Sequence, residues 1–527
     1  MPNLLHDLIL RSAETHPTSP ALTHKKVTQD YTALAADIRQ TAQGLLWLGL
    51  SRGERVAVYL PKQLETIHSL FGTSLAGGVF VPVNPLLKPE QVGHILRDCN
   101  VRILVTATMR ARQLSKVLAD CHDLRHVVIV DSNEELPEIP GVETIGWQSL
   151  VLQDTVQAPP AIIDTDMAAI LYTSGSTGRP KGVVLSHRNM LTGAKSVAQY
   201  LGNTADDRLL AVLPLSFDYG LSQLTTAFSV GASTVLMDYL LPRDVIRAVA
   251  KHGITGLAAV PPLWTQIANL PWPEEAQASL RYITNSGGAL PRATLAALQA
   301  ALPNTQPVLM YGLTEAFRST YLPPEELAKR PDSMGRAIPN ADIMVVREDG
   351  SPCAAGEPGE LVHRGSLVAM GYWNDKERTA ERFRPAPGQE AGLPLAEIAV
   401  WSGDTVKMDE DGYLYFIGRK DDMIKTSGYR VSPTEVEETL YASGLVSEAA
   451  ALGVPHPTLG QAIVAVVTAD TDAVDSEAIL NHCKQKLPAF MVPHHIQIQA
   501  SLPRNPNGKI DRKHLSQELQ DLFQDPA

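Results

Sequence analysis

Through to about residue 300 this chain alternates short apolar runs with amphipathic ones, and that alternation confines it to folds built from βαβ units. Arg55 to Leu60, Val79 to Val83, Arg102 to Thr106 and His126 to Val130 read as short buried strands. Leu34 to Leu48 and Pro89 to Cys99 carry apolar residues at helical spacing. Strands that alternate with helices pair in parallel, so largely parallel sheets are predicted. The pattern returns at Arg208 to Leu213, Ser233 to Met237, Gly256 to Val260 and Tyr282 to Asn285. From Ile343 to Tyr415 the character changes. Short strands separated by Asp349-Gly350, Pro358-Gly359 and Asp411-Gly412 predict antiparallel structure with tight turns. Ser432-Pro433-Thr434-Glu435 predicts a helix start, with Ser432 as N-cap and Glu435 completing a capping box.

The expected fold class is α/β. A large N-terminal domain of βαβ subdomains plus a β-rich subdomain spans residues 1–420, and a small, mobile α+β domain spans 421–527. A chain of 527 residues, 44% hydrophobic, has the length for two domains with substantial cores. The formal charge of −12 argues against nucleic-acid binding and against a polybasic membrane anchor. The longest apolar stretch, near Leu70 to Leu87, is interrupted by Gly72, Gly77, Gly78, Pro82, Asn84 and Pro85, so no membrane span is expected. No signal-peptide pattern opens the sequence, and the cysteines Cys99, Cys121, Cys353 and Cys483 are too scattered for a zinc site or a disulfide framework. A reducing cytoplasm fits this usage.

Residues 173–182 read Thr-Ser-Gly-Ser-Thr-Gly-Arg-Pro-Lys-Gly, between two apolar strand-like runs. Gly175 and Gly178 free backbone N–H groups to converge on an anion; Thr173, Ser174, Ser176 and Thr177 add hydroxyl donors; Lys181 adds a positive charge. Such a loop suits a polyphosphate. Its spacing is neither that of the P-loop nor that of a dinucleotide fingerprint.

The order of motifs along nearly the whole chain resembles the AMP-forming adenylating enzymes: acyl-CoA synthetases, non-ribosomal peptide adenylation domains and luciferases. The resemblance rests on the 173–182 loop, Asn285-Ser286-Gly287-Gly288, Tyr311-Gly312-Leu313-Thr314-Glu315, Gly359-Glu360-Leu361 and Gly371-Tyr372. It continues through Trp401-Ser402-Gly403-Asp404, Gly418-Arg419-Lys420-Asp421 and Asn507-Gly508-Lys509-Ile510-Asp511-Arg512. It implies that a carboxylate attacks the α-phosphate of ATP, giving an acyl-adenylate and pyrophosphate. By the same resemblance the loop holds the β- and γ-phosphates, Glu315 holds Mg²⁺, Thr314 donates to the α-phosphate, and Tyr311, Gly312, Gly287 and Gly288 receive the adenine. Asp404 and Arg419 meet the ribose, Lys509 bridges carboxylate and phosphate, and Asp421 is the hinge of the C-terminal domain. Taken singly, Thr314-Glu315 equally suits a helix N-terminus, Asp404 a turn, and Lys509 a solvated position after Asn507-Gly508.

For the acid pocket the resemblance points to Phe217, Asp218, Tyr219, Ser222, Ser286, Met310, Arg318 and Ser319. Phe217-Asp218-Tyr219-Gly220 departs from the fatty-acid type, which carries a histidine there, and is similar to stand-alone prolyl-type adenylation enzymes. A carboxylate in an apolar pocket needs a cationic partner, which an amino acid supplies and a fatty acid does not. Alternatively, Asp218 caps a following helix or points to solvent. Arg318 in the same set would bind an acidic group, or pair with Asp218 or Glu315. The expected substrate is thus a small carboxylic acid, an amino acid with proline first; the alternative is a medium- or long-chain fatty acid joined to coenzyme A. The expected acceptor is an acyl or peptidyl carrier protein in trans, or coenzyme A, because no carrier domain follows Lys509.

Overall fold

Apolar strands with no polar face need cover on both sides, and two sheets flanked by helices provide it. The computed structural model describes residues 3–523 except 133–135, 154–156, 174–179, 391, 420–421, 427–428, 458, 470–474 and 507. One sheet of eight strands carries Arg55–Tyr59, Val79–Pro82, Val101–Thr106 and His126–Ile129 in parallel. Its far edge turns antiparallel, where Met167–Thr173 pairs with Lys181–Ser186. A second sheet of nine strands sets Arg208–Ala211, Gly256–Ala259, Tyr282–Asn285 and Gln306–Tyr311 in parallel, with Thr320–Leu322 antiparallel beyond them. The two sheets share one large core, into which Phe71, Phe228 and Phe317 are fully buried.

The predicted β-rich region is an antiparallel sheet of Ala341–Val346, Gly359–Gly365, Ile398–Met408, Phe383–Pro385 and Leu414–Arg419. A smaller C-terminal α+β domain is built on the paired strands Glu448–His456 and Gly460–Thr468, with its own apolar core. The expected boundary and hinge at residues 420–421, Asp421 included, lie outside the described residues. Ser432 stands at the N-cap of the helix Pro433–Ala442, but its side chain makes no capping hydrogen bond, so the predicted capping box does not form. Among the described residues no helix is long and apolar enough to cross a membrane.

Candidate active site

Most of the chemistry hangs on one hairpin loop. Gln306–Tyr311 and Thr320–Leu322 pair with Tyr311 opposite Thr320, and the loop between them carries Thr314, Glu315, Arg318 and Ser319. A single 3₁₀ turn spans Thr314–Ala316. Phe317 follows with φ 56° and ψ −50°, and the Arg318 N–H donates to the Ala316 carbonyl at 2.6 Å. This is a γ-turn of the rare, strained hand, held by a fully buried residue. The ring of Phe317 lies on Gly193 of the helix His187–Leu201, where an added Cβ would come within 2.3 Å of a ring carbon.

Alanine at position 193 would gain up to about 1 kcal/mol of helix propensity. Overpacking a ring that cannot move costs about 1–3 kcal/mol and outweighs that gain. Gly193→Ala is therefore expected to lower the melting temperature, and to raise the KM for the acid more than that for the nucleotide, because the loop end nearest position 193 carries Arg318. An unchanged melting temperature would show that the ring has room to shift.

On one side of the loop stands a lysine–carboxylate–phenol cluster. Lys181 Nζ donates to Glu315 Oε1 at 2.9 Å and to the Tyr372 hydroxyl at 2.8 Å, and that hydroxyl donates to Glu315 Oε1 at 2.5 Å. Burial opposes ionisation of Glu315, but Lys181 and Tyr372 outweigh it and hold the carboxyl below its ordinary range. Burial, reinforced by Glu315, pushes the Tyr372 phenol up, so it stays a donor. Both side-chain contacts fall on Oε1; Oε2 carries neither. Thr173 ends the neighbouring strand with a buried hydroxyl that has no partner among the described residues. Ser174, Gly175, Ser176, Thr177 and Gly178 lie outside the described residues. Tyr372, unlike Lys181 and Glu315, is not singled out by the sequence reading; the Gly371-Tyr372 motif was its only trace.

On another side Asp404, 5% exposed, accepts from the Tyr311 hydroxyl at Oδ2 and from Arg419 Nε at Oδ1, the latter at 3.1 Å. Strand register places Arg419 directly opposite Asp404. Gly287 follows the strand Tyr282–Asn285 with φ 84°, a conformation a side chain resists, and Gly288 O accepts from Asn285 at 2.9 Å. Lys509 reaches this point from the C-terminal domain. Its Cε runs 3.1 Å, and its Nζ 3.5 Å, from where a Gly287 Cβ would stand, and Nζ is 5.4 Å from the centre of the Phe217 ring. The loop bearing Lys509 is tied down by Asn84, whose amide donates to Pro506 O at 2.7 Å. Burial pushes the Lys509 ammonium below its ordinary value; Asp218 and Asp404 oppose this, while Arg419 and Arg318 add to it.

Asp218 is the first residue of the helix Asp218–Val230, with Phe217 at the N-cap. It neither caps the helix nor faces solvent. Arg318 Nη1 donates to its Oδ2 at 2.7 Å and Thr314 Oγ1 to its Oδ1 at 3.2 Å. The pair is buried, with side chains 2% and 4% exposed. The guanidinium carbon sits 4.6 Å from the centre of the Tyr219 ring. Of the partners expected for Arg318, Asp218 is the one it takes, so the chain itself supplies the cation that Asp218 requires. Ser222 lies one turn along the same helix and Ser286 precedes Gly287; both are buried. Gly312 is packed so closely that a Cβ would meet Arg318 Cα at 3.0 Å. Two predicted pocket residues turn to other partners. Ser319 pairs with His363 at 2.9 Å, and Met310 Sδ accepts from Tyr200 at 2.9 Å. Burial drives His363 down to about 3, so it is neutral.

A family model for AMP-binding enzymes matches residues 9–373, and one for the AMP-binding enzyme C-terminal domain matches residues 435–509. An L-proline–[L-prolyl-carrier protein] ligase of Pseudomonas fluorescens is 30% identical over 527 residues, covering 98% of this chain and 99% of that one. A long-chain-fatty-acid–CoA ligase of Salmonella typhimurium is 28% identical over 526 residues, covering 94% of this chain and 90% of that one. The crystal structure of an anthranilate CoA ligase in complex with anthranoyl-AMP superposes with a TM-score of 0.88 at 26% identity, covering 99% of this chain and 98% of that one.

Proposed function

The chain belongs to the AMP-binding enzyme family, and from that premise we propose that it activates an amino acid as its acyl-adenylate and passes the acyl group to a phosphopantetheine thiol on a separate carrier protein. In the first step an oxygen of the substrate carboxylate bonds to the α-phosphorus of ATP while the bond to the β-phosphate breaks, and pyrophosphate leaves with the electron pair. In the second the thiol sulfur attacks the acyl carbon, loses its proton, and AMP departs.

The first step brings anion to anion, so its transition state needs positive charge in place beforehand. Lys509, which lies beside Gly287 and Phe217, is assigned the bridge between the attacking carboxylate and the α-phosphate. Thr314, which donates to Asp218 and precedes Glu315 in the chain, is assigned to the α-phosphate. Asp404 and Arg419 take the ribose hydroxyls, while Tyr311, Gly287, Gly288 and Gly312 form the adenine side. The 173–182 loop, with Lys181, takes the outer phosphates. Glu315 suits Mg²⁺, a hard cation that prefers oxygen, because its carboxylate is held ionised and its Oε2 is clear of both Lys181 and Tyr372. Bound there with the phosphates, the metal supplies charge neutralisation.

What supports the amino-acid reading is the acceptor capacity that buried Asp218 keeps beside Arg318, at a position the resemblance assigns to the acid pocket, together with the 30% identity to the L-proline–[L-prolyl-carrier protein] ligase. A carboxylate offers about four acceptor sites, and Asp218 uses one for Arg318 and one for Thr314, which leaves capacity for a substrate ammonium. An alkyl chain would leave that capacity unused beside two buried charges. ATP–pyrophosphate exchange over a panel of amino acids and fatty acids tests the reading. Exchange is expected with an amino acid and not with a fatty acid; the reverse result sinks it. The second reading, transfer of an acyl chain to coenzyme A, is supported by the likeness to the Salmonella typhimurium ligase. Supplying coenzyme A or a phosphopantetheinylated carrier protein in the thioester step separates the two acceptors.

A further inference from the structure

We infer that the acid activated here carries a second carboxylate, bound by the free edge of Arg318; this rests on the amino-acid reading above and names the substrate as an acidic amino acid. The inference starts from an unfilled hydrogen-bonding edge. Arg318 is 2% exposed, and Nη1 accounts for its contacts: one to Asp218 Oδ2 and one, at 2.8 Å, to the Phe317 carbonyl. Nε and Nη2 are buried and have no hydrogen-bond partner among the described residues. Burying charged donors without acceptors is costly, and arginines are seldom left so. The rings of Tyr219 and Phe317 flank the guanidinium at 4.6 and 5.6 Å and offset part of its charge. They do not replace an oxygen acceptor.

Nε–H and Nη2–H point the same way and form the side-on fork of a guanidinium, whose spacing matches the two oxygens of a carboxylate. The rest of this molecule shows what that fork takes. Arg52, Arg188, Arg292 and Arg347 each use Nε and Nη2 together to grip both oxygens of one carboxylate: Asp166, Asp164, Asp332 and Glu357 respectively. Arg318, assigned to the acid pocket by the resemblance, is buried with the same fork unfilled among the described residues.

Charge balance then sets the substrate class. Asp218 and Arg318 together are neutral. With the reacting carboxylate set against Lys509, a second anion at Arg318 alone would leave the Asp218–Arg318 pair with uncompensated negative charge, and an ammonium at Asp218 alone would leave it positive. An acid with both, an ammonium for Asp218 and a side-chain carboxylate for Arg318, closes a square of alternating charges. Aspartate and glutamate are the simplest such acids. Proline offers no second oxygen pair and is the discriminating comparison.

The test is ATP–pyrophosphate exchange by the full chain with aspartate, glutamate, their amides, proline, succinate, glutarate and octanoate. A site built around a hydrogen-bonded carboxylate rejects analogues that lack it strongly. The expected result is kcat/KM for aspartate or glutamate at least about 10²-fold above its own amide and above proline. Preference for proline or another neutral amino acid overturns this inference and leaves the amino-acid reading standing. Exchange with succinate or glutarate alone keeps the second carboxylate and overturns the amino-acid reading; exchange with octanoate alone overturns both. Arg318→Lys keeps the charge but not the fork, so the KM for the acidic substrate should rise about 10²-fold with the KM for ATP little changed. An unchanged KM for the acid in a folded Arg318→Lys variant would remove Arg318 from substrate recognition.

Discussion

Replacing Lys509 by alanine is expected to slow adenylate formation by about 10²- to 10³-fold, the loss typical when one preorganised donor to a developing anion is removed, with little change in stability. Among the described residues Lys509 has no ion-pair partner, although Asp218, Asp404, Arg318 and Arg419 all influence its charge from nearby. Single-turnover release of pyrophosphate measures the first step. Thioester formation from a preformed adenylate measures the second, in which no carboxylate attacks a phosphate, and it should be nearly unaffected. Equal losses in both steps would remove the bridging role. The same residue fixes a pH dependence. The protonated ammonium is the useful form, and burial places its pKa below that of an ordinary lysine. Adenylation should therefore fall as pH rises, earlier than a solvated lysine would allow, and the Lys509→Ala variant should lack that limb.

The parts of this molecule that were legible in its sequence are those set by neighbours in the chain. Tyr282–Asn285 is a strand over the residues its apolar run marks out, and Arg55–Tyr59, Val79–Pro82 and Pro89–Asp98 each fall within one residue of expectation at their ends. Turn glycines and period-two or helical spacing act over a few residues, so a local pattern carries them. What was not legible depends on distant partners. Pro20–His24 joins the nine-stranded sheet beside Ser233–Leu236, a pairing across more than two hundred residues that no local pattern announces. Arg318 had two acids as candidate partners in the motifs, and the choice was made by Phe317. Propensity gives no reason to place a phenylalanine at positive φ, and the ring that stabilises it there needs Gly193, which in sequence is only a weak position inside a helix. Tyr372 reaches Glu315 from a strand that pairs with Lys181–Ser186, so its role follows from sheet order.

Arg318→Met is expected to destabilise the protein by about 3–5 kcal/mol, because it leaves the Asp218 carboxylate buried with Thr314 as its one remaining side-chain donor among the described residues. Asp218→Asn should be costly for the converse reason, leaving a buried guanidinium whose Nε and Nη2 already lack partners among the described residues. The two losses should not add. In the double variant neither charge remains, and a buried ion pair replaced by neutral groups of similar volume is commonly neutral in stability. Denaturant midpoints of the two single variants and the double variant measure the coupling directly. A double variant as unstable as the sum of the singles would mean that the two side chains are held by other partners and do not depend on each other. Stability and function then separate in one protein. If the pair exists to hold the fold, the recovered double variant should exchange pyrophosphate as the parent does. If it exists to read the substrate, the double variant should fold well and lose exchange with the acid the parent prefers by 10² or more, with the KM for ATP left in place.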